Sequence, residues 1–377
     1  MAHQPVVRML NELRELQRQA YTSEEFARRE AQTVFHRNWV HVAGGYDLPE
    51  PGDAHPVVVA GLPIVLVRQR NGEVAGFHNV CRHRGCLLVT EPQQRRPLLT
   101  CKFHAWAYDL DGRLRRTPYW DPDDGTADPG FDPARFGLLP VATAVWCDQV
   151  FVRLSTEGPS FEEHITPLAR RWRAYDLSLL RYGFHVPYEV AANWKLVVQN
   201  FLDTYHLPFL HPQLGTVAQA KNYDDVNEGD TAIGISYRAG GVEKDKGDLD
   251  MPSFPDLPAR ERAAQDILLL YPNTLLELVA GHLLFIRIDP AGAALTREVM
   301  SGYFVGDGAT DPRWQAARER LAASWDELQR QDFGVVTAWH QAQFSPAASD
   351  QPEVSPLWER SGAWFRARVA REVEGHN

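Results

Sequence analysis

Cysteine is scarce in this chain, with four among 377 residues. That is too few for the disulfide framework of a small secreted scaffold. The length instead allows two domains, each with a sizeable apolar core. A long apolar run is also missing. Met1 to Ala20 is broken by Arg8, Glu12, Arg14, Glu15 and Arg18, so it reads as neither a secretory leader nor a membrane span. The most apolar stretch, Asp266 to Ile288, is interrupted by Pro272, Asn273, Glu277, His282 and Arg287, and reads as strands. Positive charge is short, with 39 Lys and Arg against 49 Asp and Glu and a formal net charge of −10. That argues against nucleic acid as a partner, because phosphate neutralisation needs clustered Lys and Arg. No internal repeat and no low-complexity tract is evident. Plain thiols and no leader place the expected location in a reducing cytoplasm.

What is present begins with two of the four cysteines. Cys81-x-His83 is followed, seventeen residues on, by Cys101-x-x-His104. Two thiolates and two imidazoles in paired short loops suit either a zinc ion or a Rieske [2Fe–2S] cluster. Zinc fingers pair Cys with Cys and His with His across their halves. Here each half carries one of each, so each loop can give a sulfur to one iron and a nitrogen to the other. That alternation, with Arg84-Gly85 after His83, favours the cluster. Cys86 and Cys147 remain as plain thiols.

The pattern along the chain predicts an α+β protein. Met9, Leu10, Leu13 and Leu16 fall at helical spacing, and Thr22-Ser23-Glu24-Glu25 has the capping-box form before a second helix. Short strands then follow at Val57 to Val59, Ile64 to Arg68 and Val74 to Asn79, with turns at Gly61-Leu62-Pro63 and Asn71-Gly72. A hairpin over Tyr108 to Leu114 turns at Asp111-Gly112. Asp121 to Pro133 reads as a loop, and Val141 to Arg153 closes the β domain. Beyond residue 160, helices are expected over Trp194 to Tyr205 and Asp311 to Gln343. Strands are expected at Asp266 to Leu270, Thr274 to Val279, Leu283 to Asp289 and Thr296 to Val305. Successive strands with short turns favour an antiparallel sheet with helices against one face. Asn222 to Asp256 reads as a polar loop over a pocket. The domains are then an N-terminal helical segment, 1–39, packing on the catalytic domain; a small all-β domain, 40–155; and the catalytic domain, 156–377.

A second constellation lies in the catalytic part. Asp203 and His206 are three apart on the expected helix, and His211 follows beyond Pro208. Two His plus one carboxylate, with positions left open, is the facial triad of non-haem Fe(II) oxygenases. His-x4-His alone is weak evidence, and two unrelated histidines are the plain alternative. The last long helix offers the carboxylate. Leu321, Trp325, Leu328, Val335 and Trp339 form an apolar stripe, and Asp332 falls on it. A carboxylate facing a core is costly unless paired or bound to a metal. Asp326 stands beside the stripe within reach of water.

Together these residues resemble the α subunit of Rieske-type non-haem iron oxygenases, the ring-hydroxylating oxygenases. The resemblance spans the two Cys/His loops, Asn193-Trp194-Lys195, Asn200-Phe201-Leu202-Asp203, His206-x4-His211-Pro212 and Gln331-Asp332. It implies a helix-grip-like catalytic domain with an antiparallel sheet flanked by helices. By the same resemblance, His206, His211 and Asp332 match the mononuclear iron ligands. Asp203 matches the acid that bridges the Rieske His of one subunit to the iron His of its neighbour, and Asn200 matches a polar residue near the iron. Ala105 stands where the family usually has Gly, and Cys86 where an apolar residue is usual. The implied activity is that of a terminal oxygenase. It activates O2 with electrons from NAD(P)H, delivered through a ferredoxin or flavin reductase, to hydroxylate a small aromatic substrate. The alternatives are monooxygenation or demethylation of a quaternary ammonium or methylated substrate, and an electron carrier with a binding domain. The implied assembly is a homotrimer, with room for a β subunit. Of the eleven Trp, Trp194, Trp314 and Trp325 read as core. Phe201, Leu202, Leu207, Val336 and Trp339 are expected to wall the pocket.

Overall fold

The computed structural model describes residues 17–120, 131–214, 223–237, 251–348 and 353–375. The helical spacing at Met9 to Leu16, most of the 121–133 loop and residues 238–250 lie outside the described residues. The chain divides into two compact units, Phe35–Gly158 and a second formed by Met1–Val34 with Pro159–Asn377.

The first unit is all-β. Its strands are β1 (Val40–Gly44), β2 (Ala54–Val59), β3 (Leu62–Arg68), β4 (Val74–His78), β5 (Leu99–Thr100), β6 (Ala107–Tyr108), β7 (Leu114–Arg116), β8 (Pro140–Trp146) and β9 (Gln149–Arg153). Six form a sheet in the order β1-β9-β8-β4-β3-β2, and β5-β6-β7 form a smaller one. The turn between β2 and β3 uses Ala60 and Gly61, both with positive φ (51° and 77°). Leu62 and Pro63, expected in that turn, instead begin β3. Val141 to Arg153, read as one closing stretch, is a hairpin. Its turn residues Cys147 and Asp148 both take positive φ (48° and 63°). Paired positive φ values twist a two-residue hairpin correctly, and Gly or Asn usually marks them. Only Asp148 is of a favoured type and no Gly follows it, so the turn signal is weak. Val65, Val67, Phe77, Leu99, Trp106, Tyr108 and Leu110 pack into a core that also holds Cys81 and Cys101.

The second unit opens with α1 (Gln19–Thr22) and α2 (Glu24–Glu30). The cap of α2 is Ser23, whose Oγ accepts from the Phe26 amide at 3.3 Å, one residue later than the expected Thr22. Then come α3 (Phe161–Arg171), β10 (Leu180–Val190), α4 (Trp194–Leu202), α5 (Leu207–Leu210), β11 (Tyr223–Glu228) and β12 (Ala232–Tyr237). They are followed by α6 (Ala259–Arg262), β13 (Gln265–Leu270), β14 (Thr274–Leu278), β15 (His282–Pro290), β16 (Thr296–Val305), α7 (Gln315–Ala342) and α8 (Arg360–Glu374). The seven strands form one antiparallel sheet, β10-β16-β15-β14-β13-β12-β11. β11 and β12 fall within Asn222 to Asp256, which corrects the reading of that stretch as loop.

Side chains alternate across β13 and divide the layers. Asp266 points to one face, where Arg171 grips it through two bonds (2.7 and 2.9 Å) and Trp172 Nε1 donates to it at 2.7 Å. Gln265 and Ile267 point to the other. There they line a cavity together with residues of α4 and α7. Helices therefore cover both faces, not one.

α4 begins at Asn193, whose side chain accepts from the Lys195 amide. The helix ends at Leu202 rather than Tyr205, because Asp203 is extended (φ −87°, ψ 128°). Pro208 falls in the first turn of α5, where its missing N–H costs nothing. Along α7 the buried residues are Ala317, Leu321, Trp325, Leu328, Gln329, Val336 and His340. Val335 (45% exposed) and Trp339 (38%) leave the stripe to which the sequence spacing assigned them. The buried line follows the 3.6-residue period through 328/329 and 332 to 336, and Asp332 stays on it. Trp194 and Trp325 are buried, as expected, and Trp314 is half-buried.

Candidate metal centres

The Cys81 and Cys101 loops are built alike. In one, the Cys81 amide donates to Cys86 O (2.8 Å) and the Gly85 amide to Cys81 O (3.0 Å). In the other, the Cys101 amide donates to Trp106 O (2.8 Å) and the Ala105 amide to Cys101 O (3.0 Å). Each loop closes with a left-handed residue, Gly85 at φ 75° and Ala105 at φ 55°. The Gly-to-Ala departure therefore falls on a backbone position that favours glycine. Both cysteines are 2% exposed. The His83 and His104 rings lie 4.7 Å apart, and His83 stacks on Trp106 at 4.7 Å.

The electrostatics of the loops follow from burial. Burial pushes the Cys81 thiol up, while the Tyr108 hydroxyl at 3.3 Å and the His83 amide favour the thiolate. Tyr108 Oη also accepts from the Arg82 amide at 2.9 Å. His83 is held below the usual imidazole range by burial and by the nearby His104 and Arg84. Its Nδ1 is buried and has no hydrogen-bond partner among the described residues. Two buried thiols with two adjacent imidazoles, one presenting an unpartnered Nδ1 and kept neutral, fit a cluster that takes two sulfurs and two nitrogens.

The second site gathers around the end of α4. His206, His211 and Asp332 place one ligand atom each within 4.8 Å of one another. His211 Nε2 is 3.0 Å and His206 Nε2 is 3.6 Å from Asp332 Oδ1. The opposite nitrogens each face an oxygen, but only that of His211 is hydrogen-bonded. His206 Nδ1 lies 3.4 Å from Asp203 Oδ2, and His211 Nδ1 lies 2.7 Å from Gln331 Oε1. Gln213 Nε2 also donates to Gln331 Oε1, at 2.8 Å. Both rings thus turn Nε2 to one point, and the Gln331 bond to His211 Nδ1 is of the kind that sets the tautomer of a metal-ligating histidine. Burial alone would pull His211 down, but the Asp332 carboxylate outweighs it and raises its proton affinity. Behind the site, burial and then the charge of Asp332 push Glu298 up to about 8. Gln329 hydrogen-bonds to it. An N,N,O donor set on one side of an open cavity fits a divalent iron.

Asp203 reaches His206 by a different path from the one the spacing suggested. It is the C-cap of α4, not a helical residue, and its Oδ1 accepts from the Tyr205 amide at 2.6 Å. The turn, rather than a helical face, brings the two side chains together. Asp326 pairs with Arg330 at 2.8 Å on the outside of α7.

The cavity over the three candidate ligands is also lined by Asn200, Asp203, Phe201 and Leu207. Leu202 and Val336 are buried elsewhere, and Trp339 is exposed; none of the three lines it. Sequence reasoning missed Ile235, Tyr237, Gln265 and Ile267 on β12 and β13, and assigned Trp325 and Leu328 only to core. The alternation on β13 was the available signal, but nothing in the sequence says which face meets α4.

Residues 177–375 match the family of ring hydroxylating alpha subunits (catalytic domain), and residues 38–138 match the Rieske [2Fe-2S] domain. The chain belongs to the ring-hydroxylating oxygenase α-subunit family. This α subunit is 29% identical over 208 residues to the glycine betaine monooxygenase oxygenase subunit of Pseudomonas aeruginosa, covering 55% of this chain and 47% of that protein. It is 27% identical over 301 residues to the carnitine monooxygenase oxygenase subunit of Escherichia coli, covering 77% and 75%. The α subunit spans about half the length of the first of these relatives. A quaternary ammonium Rieske monooxygenase shares its fold, with a TM-score of 0.78, 22% identity and 95% coverage of both chains. Among the described residues of the α subunit, no helix is long and apolar enough to cross a membrane.

Proposed function

We propose that this chain is the terminal oxygenase component of a Rieske non-haem iron system. One observation carries the reading: His206, His211 and Asp332 converge within 4.8 Å at the wall of one cavity. In this reading Cys81, His83, Cys101 and His104 hold the [2Fe–2S] cluster, and the converging triad holds Fe(II). Iron bound there would supply O2 activation, with electrons arriving through the cluster.

The chain's own residues take the remaining tasks. Gln331 holds the His211 imidazole by Nδ1 and so keeps its Nε2 free for the metal, while the Asp203 carboxylate stands 3.4 Å from His206 Nδ1. Asn200 adds a buried amide to the cavity wall. Asp203, 27% exposed at its side chain, can also accept a bond from the equivalent of His104 in a neighbouring copy. That role requires at least one neighbouring copy, and the assembly that the family resemblance implies is a homotrimer. A solved relative is described in terms of inter-subunit electron transfer. A ferredoxin or flavin reductase fed by NAD(P)H serves as donor, in the cytoplasm.

For the substrate, a small quaternary ammonium or methylated compound is better supported than an aromatic ring. The curated relatives are named for glycine betaine and carnitine. The cavity combines the aromatic Phe201, Tyr237 and Trp325 with acids, a lining that attracts an alkylated cation. The second reading, aromatic hydroxylation, rests on the apolar Leu207, Leu214, Ile235, Ile267 and Leu328 in the same wall.

Iron content tests the proposal. The oxygenase reading expects three irons per chain, visible Rieske absorbance, and NADH-driven O2 consumption with a small quaternary ammonium compound. Two irons per chain would make the protein an electron carrier with a binding domain. A colourless zinc protein would remove the cluster as well.

A further inference from the structure

We propose that Gln265, locked in place by Glu277 and His282, reads the end of the substrate that is not oxidised. It accepts an uncharged hydrogen-bond donor there and rejects a carboxylate. The inference rests on the reading that the cavity is the oxygenase's substrate pocket.

The three residues stand on successive strands. Gln265 starts β13, Glu277 lies in β14 and His282 starts β15. Glu277 pairs with Ile267, so it shares the cavity-facing side of the sheet with Ile267 and Gln265. All three polar residues are buried, at 6%, 2% and 8% exposure. They form a polar row in a face shared with Ile235, Tyr237, Ile267 and Leu284. Gln265 lines the cavity with the candidate iron ligands.

The row has a direction. Glu277 Oε1 accepts from the Gln265 amide nitrogen, and His282 Nε2 donates to Glu277 Oε2 at 3.4 Å. That bond commits the NH2 end of the Gln265 amide to Glu277. The other end of the amide, Oε1, is then left as an acceptor. Among the described residues it is buried without a hydrogen-bond partner. An unmet buried acceptor costs about 1–3 kcal/mol. A substrate hydroxyl or N–H at this point would remove that cost. A carboxylate, which can only accept, would instead meet an amide oxygen that has no proton to offer it. Sites built around one hydrogen bond discriminate strongly against ligands that cannot make it.

Two probe pairs test this by calorimetric titration of the anaerobic holoenzyme: choline against glycine betaine, and benzyl alcohol against benzoate. The hydroxyl member should bind about tenfold tighter or more in whichever pair binds. Gln265→Met should weaken the hydroxyl member about tenfold and leave the carboxylate member unchanged. Glu277→Gln should collapse the ratio, because a neutral amide both donates and accepts and no longer orients Gln265. Equal or tighter binding of the carboxylate member to the wild type overturns the inference, even if neither variant folds. A ratio that survives both substitutions also overturns it. If only the aromatic pair binds, the ammonium substrate class falls, and the ratio within that pair still decides the role of Gln265. Binding of neither pair overturns both.

Discussion

Lys195→Met should destabilise the catalytic unit, and more so at high pH. Lys195 is fully buried in α4, and its Nζ lies 2.7 Å from Glu30 Oε1 of α2. Trp194 Nε1 donates to the other Glu30 oxygen at 3.2 Å. The rings of Tyr21, Phe26 and Trp194 surround the ammonium at 5.4 to 5.5 Å. Burial lowers the proton affinity of Lys195 and raises that of Glu30, in each case against the pull of the partner. Removing the lysine leaves a carboxyl that is 1% exposed with the indole N–H as its remaining hydrogen bond. Breaking such a pair costs about 3–5 kcal/mol. For a unit of this size that is about 6–20 °C in Tm. The sign with pH follows from Glu30. Its folded proton affinity is raised above the unfolded value, so its stabilising contribution is full below the unfolded pKa. That contribution is lost as pH rises toward the folded pKa, by about 1.4 kcal/mol per pH unit. Scanning calorimetry at pH 5.5 and pH 8 should therefore show the larger loss at pH 8. Glu30→Gln combined with Lys195→Met should recover most of the stability, since no charge is then stranded. A Lys195→Met variant within about 1 kcal/mol of wild type at pH 8 would refute the argument, as would equal losses at both pH values. Because the last turn of α4 carries Asn200 and is capped by Asp203, the destabilised variant should also lose mononuclear iron earlier on heating.

Three further outcomes are expected. Asp332→Ala should lower iron from three to two per chain and leave the Rieske absorbance intact; wild-type iron with persistent turnover would move the third ligand elsewhere. Asp203→Asn should keep both metal sites filled yet slow Rieske reoxidation in a pre-reduced single turnover by about 10–100-fold. Unchanged reoxidation would sink the bridging role. Ala105→Gly should stabilise the first unit by about 1 kcal/mol, because the position is held at φ 55°. Slower thermal bleaching of the Rieske absorbance would report it, and faster bleaching would contradict the strain argument.

Much of this protein was legible in local sequence. Cys81-x-His83 and Cys101-x-x-His104 carry their meaning in a few adjacent residues, because each loop folds on its own hydrogen bonds. Asp332 stood out because a carboxylate on an apolar helical stripe needs a partner, and the structure keeps it on the buried line of α7. The strands from 265 to 305 follow their apolar pattern, and Thr296–Val305 coincides with the expected span. Other features needed the tertiary structure. α4 stops at Leu202 because the chain turns to bring His206 back to Asp203, and helical spacing alone extends it to Tyr205. Val335 and Trp339 fit a stripe on paper but face outward, since an apolar residue is buried only where a neighbour covers it. The cavity wall on β12 and β13 was invisible for the same reason. Gln265 and Asp332 share a cavity only because the sheet lays β13 beneath α4 and α7. Periodicity shows that a strand has two faces. Which face meets the metal centre is decided by packing between segments far apart in the chain.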